Sequence, residues 1–194
     1  MRMLAGEELA FRGPYEWVGP LERTVYGSGW INEPGVYVWT IPIGGVFAVY
    51  YVGETGRSFA DRFAEHTRAY LSGEYTVWEP EDFLQKRKVE VWGGLWKPER
   101  RQLFGEYLAN YERITTRTTE LLKAYRIFIA PYRGSERVRE RAAAAIIKAL
   151  RMAGPHPFLD ENVRFRPRLA SESPVTVEMT WPAPVEGVPV RCQV

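Results

Sequence analysis

Four side chains in this sequence have types and spacing suited to work on a phosphate ester: Tyr37, Tyr51, Arg62 and His66. Hydrolysing a phosphodiester requires an activated water, a counter-charge for the pentacovalent phosphorus and help for the leaving oxygen. A tyrosine is a poor base at its ordinary pKa near ~10, so the expectation is that a neighbouring cation lowers one of the two phenols. Arg62 is a fixed cation with a planar fork of donors, able to lower that pKa and to bind phosphate oxygens. His66 lies four residues on, one helical turn away, where it can share the proton transfer.

The elements that must position these groups are read from the runs around them. Val46 to Val52 is apolar, β-branched and aromatic, and is short enough to be a buried strand. Gly35 to Ile41 is a second strand-like run, and Pro42-Ile43-Gly44-Gly45 reads as the hairpin connector. Gly53 and Gly56 are expected to break the second strand, and Ser58 to cap a helix. Phe59, Phe63, Thr67 and Tyr70 then recur at helical spacing as a core stripe, which places Arg62 and His66 together on a second face.

Gly35-Val36-Tyr37, then Tyr51-Val52-Gly53, then Gly56-Arg57-Ser58-Phe59 with Arg62 and His66 behind them, resemble the signature of the GIY-YIG nuclease superfamily. That superfamily includes repair, homing and restriction endonucleases. The similarity covers residues 35 to about 70 well and 125 to 155 less well. It implies an α/β fold, with a three-stranded, antiparallel-containing sheet flanked by helices. It also implies a metal-dependent endonuclease acting on double-stranded DNA, most like a stand-alone restriction enzyme, with the alternative of an inactive DNA-binding relative. The implied roles are Tyr37 as general base, assisted by Tyr51 and His66, Arg62 as transition-state stabiliser, and a glutamate on a later helix as the protein ligand of one Mg²⁺. Asn162 corresponds to a polar residue often found after that helix. A palindromic site would bring two-fold symmetry and a homodimer.

Length and composition are compatible with this. A chain of 194 residues, 45% hydrophobic and 26% charged, suits one domain with its own core. Residues 35–73 and 125–154 form the expected core, with an N-terminal arm over 1–34, a structured insertion over 74–124 and a Pro-rich extension over 155–194. No apolar run approaches the ~20 residues that span a bilayer. The start lacks a secretory pattern and Cys192 is the single cysteine, so the expected compartment is a reducing cytoplasm. With two histidines and one cysteine the chain has no zinc site of the usual kind.

A net charge of +2 says little about DNA, so the distribution matters more. Residues 133–168 hold nine basic and four acidic side chains, and Arg164, Arg166 and Arg168 close that stretch. Together with Arg57 they are the expected grip on the phosphate backbone. Lys86, Arg87 and Lys88 either add to it or sit solvated where a short strand over Val89–Trp92 begins. Glu74 to Pro80 reads as a loop, and residues 98–124 as a helix bent or ended by the Thr-rich stretch 114–119. Tyr125–Pro131 is the third strand, Glu136 to about Met152 the second long helix, and Val175–Trp181 one further strand.

The metal ligand is where the sequence departs from the pattern. By resemblance, the glutamate precedes two apolar residues by three and four positions, with a basic residue next. Ile146, Ile147 and Lys148 fill those later places, which puts Ala143 at the ligand position. Glu140 lies one turn earlier, about 4.5 Å along the axis. Three explanations stand: Glu140 is the ligand in a shifted register, the chain is an inactive relative, or alanine has replaced a glutamate.

Overall fold

The computed structural model describes residues 6–154, 158–160 and 162–194. Expectations that touch the first five residues, Pro155, Pro157 and Glu161 lie outside the described residues.

The centre is a four-stranded antiparallel sheet in the order β2 (Arg12–Glu16), β7 (Arg126–Pro131), β3 (Gly35–Ile43), β4 (Val46–Thr55). The expected sheet had three strands. The fourth comes from the N-terminal arm, whose five-residue strand contains Gly13 and Pro14 and so carried no strand signature. Just before it, β1 (Glu7–Ala10) pairs in parallel with β8 (Thr176–Thr180), which also pairs with β9 (Arg191–Gln193). The arm therefore joins two sheets. The C-terminal extension supplies two strands where one was expected.

Alternation along β3 and β7 sorts the core into two layers. Tyr37, Trp39, Ile41, Ile127 and Ile129 face α1 (Phe59–Leu71), α2 (Pro80–Phe83) and α4 (Tyr111–Ala124). Val36, Val38, Phe128 and Ala130 face α5 (Glu136–Met152) and the small sheet. The chain is thus mixed α/β with helices on both faces of the central sheet.

Two local expectations are corrected. Pro42 and Ile43 belong to β3, and the hairpin turn is only Gly44-Gly45, both at positive φ as a two-residue turn demands. β4 runs through Gly53 to Thr55. Gly53 lies opposite Tyr37 in the ladder, and a Cβ there would overlap the phenol ring and hydroxyl, so this glycine makes room and does not form a turn.

The 74–124 insertion is structured, but not as expected. Thr76–Trp78 is a strand, β5, paired with β6 (Glu90–Gly93). The helical stretch breaks at Asn110, between α3 (Phe104–Ala109) and α4, and α4 runs unbroken through the threonines. Thr115, Thr118 and Thr119 return their hydroxyls to carbonyls one turn back, so the helix accommodates them.

Candidate active site

Ser58 caps α1 as expected, its hydroxyl oxygen accepting from the Asp61 amide at 3.0 Å. The next two amides of the helix, Phe59 and Ala60, donate to the carbonyls of Glu33 and Ile31. The arm therefore occupies donors that would otherwise face an anion. The buried stripe of α1 is Phe59, Phe63, His66 and Tyr70. His66 thus lies in the core, 1% exposed, and does not share an open face with Arg62. Sequence spacing alone could not show how far the helix is overlaid.

This placement produces a chain of polar contacts running inward. Arg62 Nε donates to the Tyr37 hydroxyl oxygen at 3.0 Å, and that hydroxyl lies 2.8 Å from His66 Nε2. On the other side of the ring, His66 Nδ1 is 3.0 Å from the Tyr75 hydroxyl. Burial pushes the His66 pKa down to about 3, with the Arg62 charge adding to it, so the imidazole is neutral. Since Arg62 already donates to Tyr37, a neutral ring fits best with the phenol proton directed at Nε2 and the ring proton on Nδ1, toward Tyr75.

Arg62 pulls both phenols down as expected, but neither ends below its ordinary pKa. Tyr37 is fully buried, and burial, reinforced by Tyr51, holds the phenol well above its ordinary value despite the guanidinium beside it. Tyr51 is raised in the same way, by burial against the pull of Arg62. Arg62 is also tied at 3.2 Å to Glu65, which holds Arg57 at 2.6 Å. Hydrogen bonds from Arg57 and Arg62 lower Glu65 to about 2. Neither Glu65 nor Tyr75 had been singled out. Glu65 carried a signal, three residues beyond Arg62 on one helix, but Tyr75 did not.

Tyr37, Tyr51 and Arg62 line a cleft of about 250 Å³ that opens beside edge strand β4, where side chains from both faces of the sheet meet. Arg57, Arg164 and Arg166 reach the same cleft, as do Glu140 and Ala143 from α5. The other proposed basic contacts are elsewhere. Lys86 pairs with Glu186 at 2.5 Å and Arg87 with Asp82 at 2.5 Å. Lys88 donates to the Leu159 carbonyl at 3.0 Å, and Arg168 to the Glu172 carbonyl at 2.7 Å.

Of the three acidic groups that line the cleft, Glu54, Glu136 and Glu140, two are held by arginines. Glu140 is 4% exposed and is bonded to Arg137 at 2.5 Å and to Arg166. Burial opposes its ionisation, but the two arginines outweigh burial and hold the carboxyl below its ordinary range. Glu54 is paired with Arg139 at 2.8 Å. Among the described residues no group of three or more His, Cys, Asp or Glu side chains could hold a metal ion. Glu140, the expected ligand, is bridged by two cations, whereas Glu136 stands exposed on the same wall of the cleft.

Asn162 is not in the cleft. With His66 and Asp160 it lines a second cavity of about 260 Å³, whose walls include Tyr50, Tyr51, Tyr75, Trp78 and Trp96. Tyr50 and Tyr51 both reach it because the ladder slips by one residue between Trp39 and Thr40. Tyr50 is the extra residue of this β-bulge, and two consecutive side chains end up on one face.

No protein-family model, curated protein or solved structure matches this chain. No helix among the described residues is long and apolar enough to cross a membrane.

Proposed function

We propose that this chain is a GIY-YIG-type endonuclease in architecture, that its cleft receives one phosphodiester of double-stranded DNA, and that the sequence as it stands binds DNA without cutting it. The observation that carries this is the Tyr37 hydroxyl, held between Arg62 and His66 on the wall of a cleft that Arg164 and Arg166 also line. Tyrosine, arginine and histidine converging at one point match what phosphodiester chemistry requires.

In the cutting form, Tyr37 relays a proton. Its oxygen takes one from the attacking water as its own moves to His66 Nε2, so no free phenolate has to form at the high phenol pKa. Arg62 lies against the charge that develops. Water attacks phosphorus, the bond to the leaving oxygen breaks, and solvent protonates that oxygen.

Ala143 accounts for the lack of cutting. It lines the cleft from α5, opposite the tyrosines, at the position where the family resemblance implies the metal-binding glutamate. The test is plasmid DNA incubated with Mg²⁺ and either the parent or Ala143→Glu. The expected result is a gel shift with the parent and Mg²⁺-dependent fragments with the variant.

Glu140 favours a second reading, because it lines the same cleft and a bound phosphate would compete for Arg166 and release one of its oxygens. Cutting by the parent that is lost in Glu140→Gln would establish that reading and set aside Ala143.

A further inference from the structure

The aromatic cavity beside the cleft has no role in phosphate chemistry, yet it shares a wall with it. Tyr51 lines both spaces. The Tyr37–His66 contact joins them, with Tyr37 on the cleft side and His66 on the cavity side. One layer of side chains therefore separates a phosphate site from a pocket of flat rings.

We propose that this cavity takes a single unstacked nucleobase, from a nucleotide at the phosphodiester held in the cleft. The proposal rests on the DNA reading above and adds to it how the DNA is deformed. At about 260 Å³ the cavity is slightly below the range of drug-sized sites, which suits a small planar group. Trp96 stands at it 42% exposed, which leaves part of its ring open to a stacked base. Asp160 supplies acceptors. One of its carboxylate oxygens takes the Asn162 amide and side-chain nitrogen at 2.8 and 3.0 Å, and a carboxylate has about four acceptor positions in all. The surplus favours a base with an amino group, adenine, cytosine or guanine, over thymine, whose single N3–H donor lies between two carbonyl oxygens that a carboxylate repels.

Aromatic walls with a carboxylate would also suit a quaternary ammonium group, but the surrounding charge argues against it. The Lys88 ammonium lies 5.6 Å from the centre of the Tyr50 ring and 5.9 Å from that of Trp78, and the Lys97 ammonium lies 5.4 Å from that of Trp96. The chain's own cations already sit over these rings. They repel a second cation and attract the phosphates on either side of an extruded nucleotide.

The test compares an intact duplex with the same duplex carrying one unpaired cytosine, using the full chain and its Trp96→Ala variant. Extrusion from the intact duplex requires unpairing and unstacking that the unpaired base has already undergone, so the parent is expected to bind the bulged duplex at least about tenfold more tightly. Trp96→Ala is expected to lose roughly tenfold on the bulged duplex while Trp96→Phe retains most of the affinity, and replacing the unpaired cytosine by thymine weakens binding by the parent. Trp96 is exposed, so the variant keeps the fold, which circular dichroism will check. Equal affinity of parent and Trp96→Ala for both duplexes overturns the base pocket and leaves DNA binding in place. Failure to bind either duplex overturns both. Displacement of the bulged duplex by tetramethylammonium but not by deoxycytidine monophosphate assigns the cavity to a cation and overturns the proposal.

Discussion

The two faces of the central sheet are made of different chemistry. Toward α5 the sheet presents Val36, Val38, Val49 and Val52 to Ile146, Ile147 and Leu150. Toward α1 it presents Tyr37, Trp39 and Tyr50 to Phe63, His66 and Tyr70. The aliphatic face gathers its buried polar groups on α5, where Arg139 and Glu140 are held in ion pairs. The aromatic face pairs most of its own, with Tyr70 and Tyr125 hydroxyls 3.1 Å apart and the Trp78 indole donating to Tyr50 at 3.0 Å, while the buried Trp39 indole nitrogen has no partner. Rings are stiff and carry a polar tip, so such a layer fixes hydrogen-bonding groups in place with little loss of side-chain entropy. One face fixes where α5 stands; the other holds the chemistry.

Changes on each face test this division. On the aromatic face, adding Arg62→Ala to the Ala143→Glu protein should reduce cleavage by about 10²- to 10³-fold with little change in melting temperature, measured by single-turnover assays. Lysine should not rescue it, because a point charge lacks the fork. An unchanged rate would remove Arg62 from the site. On the aliphatic face, Ile147→Ala should cost about 3 kcal/mol in urea titration with little effect on DNA affinity of the folded protein. Loss of affinity without loss of stability would mean that this face is also functional.

Tyr37→Phe should separate function from packing. The ring still fills its place, and the lost hydroxyl leaves His66 short of one partner, about 1 kcal/mol, while cleavage in the Ala143→Glu background falls at least about a hundredfold. Unchanged rate and pH profile would transfer the base to Tyr51 or His66.

Acid should act through the aromatic face. The His66 pKa is about 3 when folded and 6.5 in the ordinary case, so between those values the unfolded chain binds more protons. Stability therefore rises with pH through that window and is lost as pH falls, by up to ~1.4 kcal/mol per unit. His66→Gln should flatten that limb, and a parallel decline in both proteins would mean that His66 is not its source. The smallest effect is on salt. Reversing Arg164 or Arg166 should reduce the slope of log affinity against log salt by about one each, while Lys86, Arg87 and Arg168, outside the cleft, should leave it unchanged.

Much of the central hairpin and α1 was legible in the sequence because it depends on local signals: apolar runs, a serine cap and an i, i+3, i+4 stripe. Ala143 was reached differently, through the family resemblance that sets the ligand position three residues before Ile146, and it lines the cleft from α5. What was hidden depends on distant partners. The strand containing Gly13 and Pro14 exists because β7 is beside it. The Lys86–Lys88 triplet reads as a phosphate grip until Glu186, a hundred residues away, is found on Lys86. The phenol pKa was misjudged because a neighbouring charge can be inferred from spacing, whereas depth of burial cannot.

The extra residue at Tyr50 affects how this protein can vary. Among the described residues β4 has its ladder partner in β3 and one isolated bridge from Phe47 to Val185, so the slip between Trp39 and Thr40 needs no matching adjustment in a further strand of the sheet. Gly35 to Trp39 are held independently by β7, which keeps Tyr37 opposite Gly53 whatever happens beyond the slip. A one-residue insertion or deletion at Tyr50 would therefore reshape the aromatic cavity while leaving the Arg62–Tyr37–His66 contacts where they are. Length changes at that point provide a route by which ligand preference can diverge among descendants without rebuilding the reactive centre.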